Sequence, residues 1–479
     1  MKNRKLRDFT YTLSANILNM FLGIITGFLI PKFLGVNEYG YLKIFTFYVS
    51  YVGFLHFGFT DGIYIKYGSY EYDDLPKEKF RSYFRFLLLM QFAIFVILIP
   101  ITYIFSSDSN RRSIMYFIAV NMVILNITAF FSLINQFTRR FKLYSVNLVL
   151  TKILYVIGSI IFFAAGLNNH ICFVILQTIA NFIVLYSYIR HNKDLVWGKS
   201  EKIKNNIKDI RNNFHIGFFV MIGNFMSIII IGLDRVFIDK FFTLKDFAMY
   251  SFAYSMISVF YILLSSLTTV VYPYLARTDQ SKMKKTYETI KMFLIIIIGA
   301  SLSGFFILKF IVLKFLPKYI EALPITLVLI PTVLLSGQNS ILISNYYKVM
   351  KLQKEYTFNN LVAFMLGLVT NIIAYLVFKT PLSIAIASLI SFIIWLFYSD
   401  SFFKKKLNLN IKKAQLMEVI TIALFLMIAC NFSWYIGFVL YLVCFGIVMF
   451  LFGRTPGVLP FSGTTPGVND KSIVQDKLQ

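Results

Sequence analysis

Long apolar runs alternate with short polar connections along nearly the whole chain, and each run is about as long as a membrane is thick. Fourteen segments are long enough to span, or nearly so: near 11–34, 41–65, 84–106, 114–135, 145–166, 170–189, 212–233, 247–272, 290–313, 322–346, 357–378, 380–399, 414–431 and 433–452. Helices are the economical reading, because an open strand in lipid leaves its N–H and C=O groups unpaired. The pattern predicts an all-α integral membrane protein.

One polar turn is written twice. Residues 30–41, IPKFLGVNEYGY, align without a gap with 238–249, IDKFFTLKDFAM, at an offset of 208. Ile, Lys and Phe repeat, Glu38 meets Asp246, and Tyr39 meets Phe247. The echo continues at Ser50 and Ser258, Thr60 and Thr268, and Tyr64 and Tyr272. Six helices separate the copies, an even number, so both keep one orientation. The expected architecture is two parallel six-helix lobes, related by an axis along the membrane normal, plus two extra C-terminal helices. The lobes are 1–211 (with a linker) and 212–403, the extra helices occupy 404–452, and 453–479 reads as a flexible tail. Internal repeats of this kind are typical of alternating-access transporters.

Composition agrees with the pattern. Of 479 residues 58% are hydrophobic and 14% charged, where a soluble domain carries about 25%. The net charge of +25 sits in short tracts between the apolar runs, which suits anionic lipid headgroups rather than nucleic acid. Basic residues crowd alternate connections: Lys2, Arg4, Lys5 and Arg7; Lys77, Lys79, Arg81 and Arg85; Arg139, Arg140 and Lys142; seven between Arg190 and Arg211; and Lys404, Lys405 and Lys406. The positive-inside rule then puts both termini in the cytoplasm, with an even number of spans. The opening has a basic flank, an apolar run of roughly twenty residues and no small-residue cleavage context, as a first membrane helix has. Cys172, Cys430 and Cys444 lie in apolar runs without ligand spacing, and the four histidines are scattered. Metal chemistry, histidine-centred catalysis and nucleotide binding have no support, so no cofactor is expected and the chain reads as a transporter rather than an enzyme.

At this point a family resemblance enters. The opening DFTYTLSANILNMFLGIITGFLIPKFLGVNEYGYLKIFTFYVSYVGFLHFGFTDGI, the mid-chain LDRVFIDKFFTLKDFAMYSFAYSM and VYPYLAR at 271–277 resemble the polysaccharide-type flippases, the O-antigen or capsule repeat-unit translocases within the multidrug and lipid-linked-oligosaccharide exporter superfamily. The turn Leu34, Gly35, Glu38, Tyr39, Gly40 and the pair Asp234–Arg235 carry the match; the second turn departs from it, with Thr243–Leu244 where the first has Gly35–Val36. The resemblance implies an undecaprenyl diphosphate bearing a short oligosaccharide, moved from the inner to the outer leaflet of a bacterial inner membrane. It also implies neighbouring glycosyltransferases and a glycan polymerase as partners, and a proton or sodium ion as coupling ion.

Such a cargo needs cations for the diphosphate, amides and aromatic faces for the sugar, and an apolar slot for the tail. The candidates are Asn16 and Asn19 on helix one, Lys43 at the start of helix two, and Lys152 in helix five. Asn224, at the repeat offset from Asn16, and Ser227 sit in helix seven with Asp234 and Arg235, and helix ten holds Gln338 and Asn339 in GQNS, which also reads as a bend. Asp61 is either a coupling carboxylate or a structural partner of Lys66. Two other classes compete. A multidrug or small-solute antiporter of the same superfamily would need compact polar sites and no opening for a tail. A glycan polymerase would carry one large outer loop, and every outer connection here is short.

Overall fold

The computed structural model describes residues 2–105 and 108–452, without the side chains of residues 2–9, 105, 224, 227, 262, 263, 265–270 and 273. The expected tail 453–479 and the candidate side chains of Asn224 and Ser227 therefore lie outside the described residues.

The described chain is helical throughout. In order come α1 (Lys2–Phe33), α2 (Val36–Val49), α3 (Phe59–Tyr67), α4 (Lys77–Phe105), α5 (Ser109–Phe137), α6 (Phe141–Ala164), α7 (His170–His191), α8 (Ile207–Phe241) and α9 (Leu244–Ala276). There follow α10 (Met283–Ser301), α11 (Gly304–Phe315), α12 (Leu323–Leu329), α13 (Pro331–Gln338), α14 (Ser344–Val349), α15 (Gln353–Phe378), α16 (Pro381–Leu407), α17 (Lys412–Asn431) and α18 (Trp434–Phe452). Among the described residues 11 helices are long and apolar enough to cross a membrane, or 13 when each of two bent pairs is one span. α9 runs 33 residues and stands outside that count. Large apolar side chains face outward along these helices, for example Phe92, Val96 and Ile97 on α4 and Val439, Val443 and Ile447 on α18. Such stripes are costly in water and neutral in lipid, so the outer surface is that of a multi-pass membrane protein.

Two compact units emerge from the packing. Among the described residues the first comprises 2–263, 308–332 and 353–395; the second comprises 264–307, 333–352 and 396–452. The aromatic core of the first gathers Phe59, Tyr67, Phe80, Tyr83, Phe130 and Phe131. In the second, α17 packs on α18 and α10, and the Tyr441 hydroxyl donates to the Gly299 carbonyl at 2.7 Å.

Three segments expected as single helices are broken. The segment near 41–65 stops after α2, passes through a 3₁₀ turn at Val52–His56, and restarts as α3 at a 58° bend. Phe57 and Gly58 take positive φ there (52° and 81°). Gly58 also lies backbone to backbone against Gly217 of α8, where a Cβ on either residue would overlap the other chain. The segment near 290–313 breaks between α10 and α11, where the Ser301 and Ser303 hydroxyls donate back to the carbonyls of Ile298 and Ala300, a competition that bends helices. The segment near 322–346 is α12, α13, a π-helical turn at Asn339–Ile343, and α14. The GQNS bend is therefore a π-turn, a wide turn often found at functional positions.

The repeated turns differ as their sequences do. Gly35 precedes α2 without a side-chain cap. Glu38 is instead used elsewhere: it accepts from the backbone N–H of His170 at 2.7 Å and meets its ring Nδ1 at 2.6 Å, anchoring the start of α7. In the second copy Thr243 and Asp246 form a reciprocal cap: the Asp246 carboxylate accepts from the Thr243 N–H (3.1 Å) and hydroxyl (2.7 Å), and the Thr243 hydroxyl accepts from the Asp246 N–H (3.2 Å). The two turns meet at Gly40, against which Leu244 sits so closely that an added Cβ would be 3.0 Å from it.

Candidate functional site

Within the first unit a cavity of about 280 Å³ is lined by residues of α1, α2, α6, α7 and α9. Its polar wall is Asn19, Thr46, Gln177, Ser255 and Ser258; its aromatic wall is Tyr39 and Tyr155; and Lys43 and Lys152 bring two ammonium groups to it. Tyr39 is fully buried and holds the wall together, its hydroxyl 3.4 Å from the Ser255 hydroxyl and its ring 5.1 Å from the Lys43 ammonium. The Asn19 side-chain oxygen is buried with no hydrogen-bond partner.

Arg235 flanks this cavity. Its guanidinium lies 4.6 Å from the Phe47 ring and 4.3 Å from the Tyr254 ring, between the two helices that supply Thr46 and Ser255. Lys43 is within Coulombic reach of both Arg235 and Lys152. Among the described residues none of the three cations has a carboxylate within ion-pair distance. Asp234, next in sequence, is engaged elsewhere: its carboxylate accepts from Tyr250 (2.8 Å) and Ser388 (3.4 Å) and from the backbone N–H of Arg235 (2.7 Å). Nor does α8 end at this pair; it continues to Phe241, so Asp234 and Arg235 are mid-helix residues. Three unpaired cations around one membrane-embedded cavity repel one another and attract an anion.

The other candidates lie apart. Asn16 is exposed and does not line this cavity. The pairing of Asp61 with Lys66 is not found, because Lys66 is claimed by Asp209 at 3.0 Å, which Lys79 also contacts. Asp61 lies in the first turn of α3 instead, its carboxylate 3.7 Å from the His56 ring. Gln338 and Asn339 belong to the second unit; both are buried, and Asn339 donates to the Leu335 carbonyl at 3.2 Å.

Two clusters escaped the sequence reading. Arg111 and Tyr48 converge on the buried carboxylate of Asp239, at 2.7 Å and 2.5 Å. Gln338 sits among Lys291, Asp400 and Glu418, three fully buried charged residues. Each of those charges is a lone one in an apolar run, but each also lies close to a basic connection and reads as interfacial.

No curated protein sequence matches the chain. Residues 5–279, more than half of it, match the family described as polysaccharide biosynthesis protein. Among solved structures, a lipid II flippase MurJ in an inward closed conformation superposes with a TM-score of 0.68 at 17% identity, covering 94% of this chain and 99% of that one. A multidrug resistance MATE family transporter of the MOP superfamily superposes at 0.62 in its inward-facing conformation (12% identity, 82% of this chain, 94% of that one). An outward-facing structure of the same kind reaches 0.55 at 9% identity, covering 84% and 96%. These likenesses establish the fold, an all-α arrangement of many membrane-length helices.

Proposed function

The chain belongs to the polysaccharide biosynthesis protein family, and from that premise we propose that it is a flippase. It carries undecaprenyl-diphosphate-linked oligosaccharide from the inner to the outer leaflet of a bacterial inner membrane by alternating access. The observation that carries this reading is the cavity lined by Lys43 and Lys152, with Arg235 within Coulombic reach of Lys43, three cations with no carboxylate at ion-pair distance among the described residues. A diphosphate supplies the missing negative charge, through hydrogen bonds that charge makes roughly twice as strong as neutral ones. Asn19 and Gln177 offer donors and acceptors to the first sugar, and the buried Tyr39 and Tyr155 give the cavity an aromatic wall. The similarity to a lipid II flippase supports a lipid cargo in the same fold.

A cation-exporting multidrug antiporter fits this cavity poorly, because an organic cation would meet ammonium and guanidinium groups rather than a carboxylate. In this reading α9 is a further span, giving fourteen, arranged as lobes 1–211 and 212–403 with α17 and α18 added. The basic connections face the cytoplasm, and so do both termini. Asp61 is the candidate carboxylate for ion coupling, Asp234 remains a candidate of the cavity region, and Gln338 and Asn339 belong to the wall of the second lobe.

The test is surface glycan in cells lacking their own flippase, normalised to protein level. Charge-assisted hydrogen bonds are each worth about 1.5–3 kcal/mol, so Lys43→Gln, Lys152→Gln and Arg235→Gln are each expected to lower export by about tenfold or more. Arg235→Lys keeps charge but loses the flat stacking between Phe47 and Tyr254, and is expected to fall between the two. Full export by all three glutamine variants would remove the cavity from the mechanism.

A further inference from the structure

We propose that the cluster of Lys291, Gln338, Asp400 and Glu418 is a proton-binding site, with Glu418 as the group that takes the proton. The argument starts from charge. The side chains of Lys291 and Asp400 are 0% exposed and that of Glu418 is 1% exposed. Two carboxylates and one ammonium leave one excess negative charge in a site closed to water, and an isolated buried charge is among the most costly arrangements a protein can hold. One bound proton brings the site to neutrality.

Geometry says which carboxylate takes it. Asp400 is held by three donors: Lys291 Nζ at 2.8 Å, the Tyr287 hydroxyl at 2.9 Å and Gln415 Nε2 at 3.1 Å. Glu418 receives one close bond, from Gln338 Nε2 at 2.5 Å, and its other oxygen is 3.5 Å from the Lys291 ammonium. That ammonium already satisfies Asp400 and the Gln338 carbonyl oxygen, the latter at 2.8 Å. A proton from water adds to the poorly held oxygen of Glu418, turning a carboxylate into a carboxylic acid and leaving Lys291 and Asp400 as a balanced pair. A sodium ion is a poorer fit, because the centre of the cluster is occupied by the lysine ammonium and a metal would need several free oxygens.

Glu418 faces Lys291 from α10, Gln338 from α13 and, through their shared lysine, Asp400 from α16; Tyr287 of α10 and Gln415 of its own helix bond to Asp400. α18 sets Phe445 beside Thr421 and Gly299, and the stretch FGIVMFLF that follows carries no ionisable side chain. Gln338 directly precedes the π-turn Asn339–Ile343. Gain or loss of the proton therefore acts on the one wide turn of this helix. Water lies near: Lys412 and Lys413 are six and five residues before Glu418, on the order of 9 Å along a helix.

The experiment is difference infrared spectroscopy of the purified full-length protein in lipid nanodiscs, titrated across neutral pH. It needs no cargo, so its outcome is independent of the export assay above. The expected result is a carboxylic-acid C=O band that disappears in Glu418→Gln and persists in Glu321→Gln, whose carboxylate pairs with Lys245 in the first unit. Absence of that band in the wild type, its persistence in Glu418→Gln, or its displacement when sodium replaces potassium would overturn the proposal. Should Glu418→Gln fail to fold, Lys291→Met decides: without the ammonium both carboxyls must be neutral, so the band should about double, and an unchanged band would overturn the proposal.

Discussion

At the scale of single residues, a charge in an apolar run is conspicuous in sequence, but its partner is not. Lys43 and Lys152 were legible for that reason, and Asn19 for its polar atoms on an apolar helix. Tyr39 stands four residues before Lys43 on the same helix, but Gln177 and Ser255 complete the cavity from helices far apart in sequence, and no spacing rule joins them. Asp61 shows the converse. Lys66, five residues on, is the obvious partner on paper, yet it belongs to Asp209. Asp61→Asn therefore leaves Lys66 paired and keeps an amide beside the His56 ring. It loses a first-turn carboxylate, an effect of about 0.3–1 kcal/mol, so the protein level and thermal midpoint should stay close to wild type. Adding Lys66→Met should give an additive loss rather than a rescue. Rescue of an unstable Asp61→Asn by Lys66→Met, read by thermal unfolding in detergent, would restore the Asp61–Lys66 pair to the account.

At the scale of elements, helix existence followed from hydrophobicity, while helix breaks followed from neighbours. Nothing in HFGFTDGI demands a 58° bend; it is needed where Gly58 and Gly62 of one helix press on Gly217 and Asn213 of another. Gly58→Ala meets both obstacles, a positive φ and a backbone in the way. It is expected to destabilise the protein by at least about 2 kcal/mol. Gly446→Ala in α18, where an added methyl meets nothing within 4 Å, should be neutral or stabilising by up to about 1 kcal/mol. Equal thermal midpoints for the two variants would show that the contact between α3 and α8 is not what sets the bend. The capping chemistry of the repeated turns was partly legible: Thr243 and Asp246 have the spacing of a capping box, whereas the role of Glu38 at the start of α7 required the fold.

At the scale of the whole molecule, orientation is a matter of charge summed over loops. The long connection after α7 is not loose: the Arg81 side chain reaches the carbonyls of Asp194 and Lys199, and Lys77 meets the Asp194 carboxylate at 2.8 Å. Burial pushes the Asp194 carboxyl up, but hydrogen bonds from Lys77 and Tyr72 outweigh it and hold the group below the usual carboxylate range. That clasp contributes above the ordinary carboxylate pKa and is lost as pH falls through the depressed one. The exposed Lys199 stands on the same connection, and the exposed Cys430 lies near the end of α17, toward the opposite face in the proposed topology. In intact cells an impermeant thiol reagent should label wild-type Cys430, and Lys199→Cys should add no label until the membrane is opened. Immediate labelling at position 199 from outside would invert the orientation.

What the sequence by itself determined is whatever depends on composition and period: an all-helical membrane protein, a turn repeated 208 residues apart, basic tracts on alternate connections, and several isolated polar residues worth asking about. The tertiary structure alone decided which of them meet. Burial in a membrane protein is a property of side chains brought together from distant helices, so Lys43 and Lys152 line one cavity, Arg235 stands within Coulombic reach of Lys43, and Asn16 is left outside. For the same reason Lys291, Asp400 and Glu418, each unremarkable beside its own basic loop, became a closed cluster with an excess negative charge only when α10, α16 and α17 packed around it.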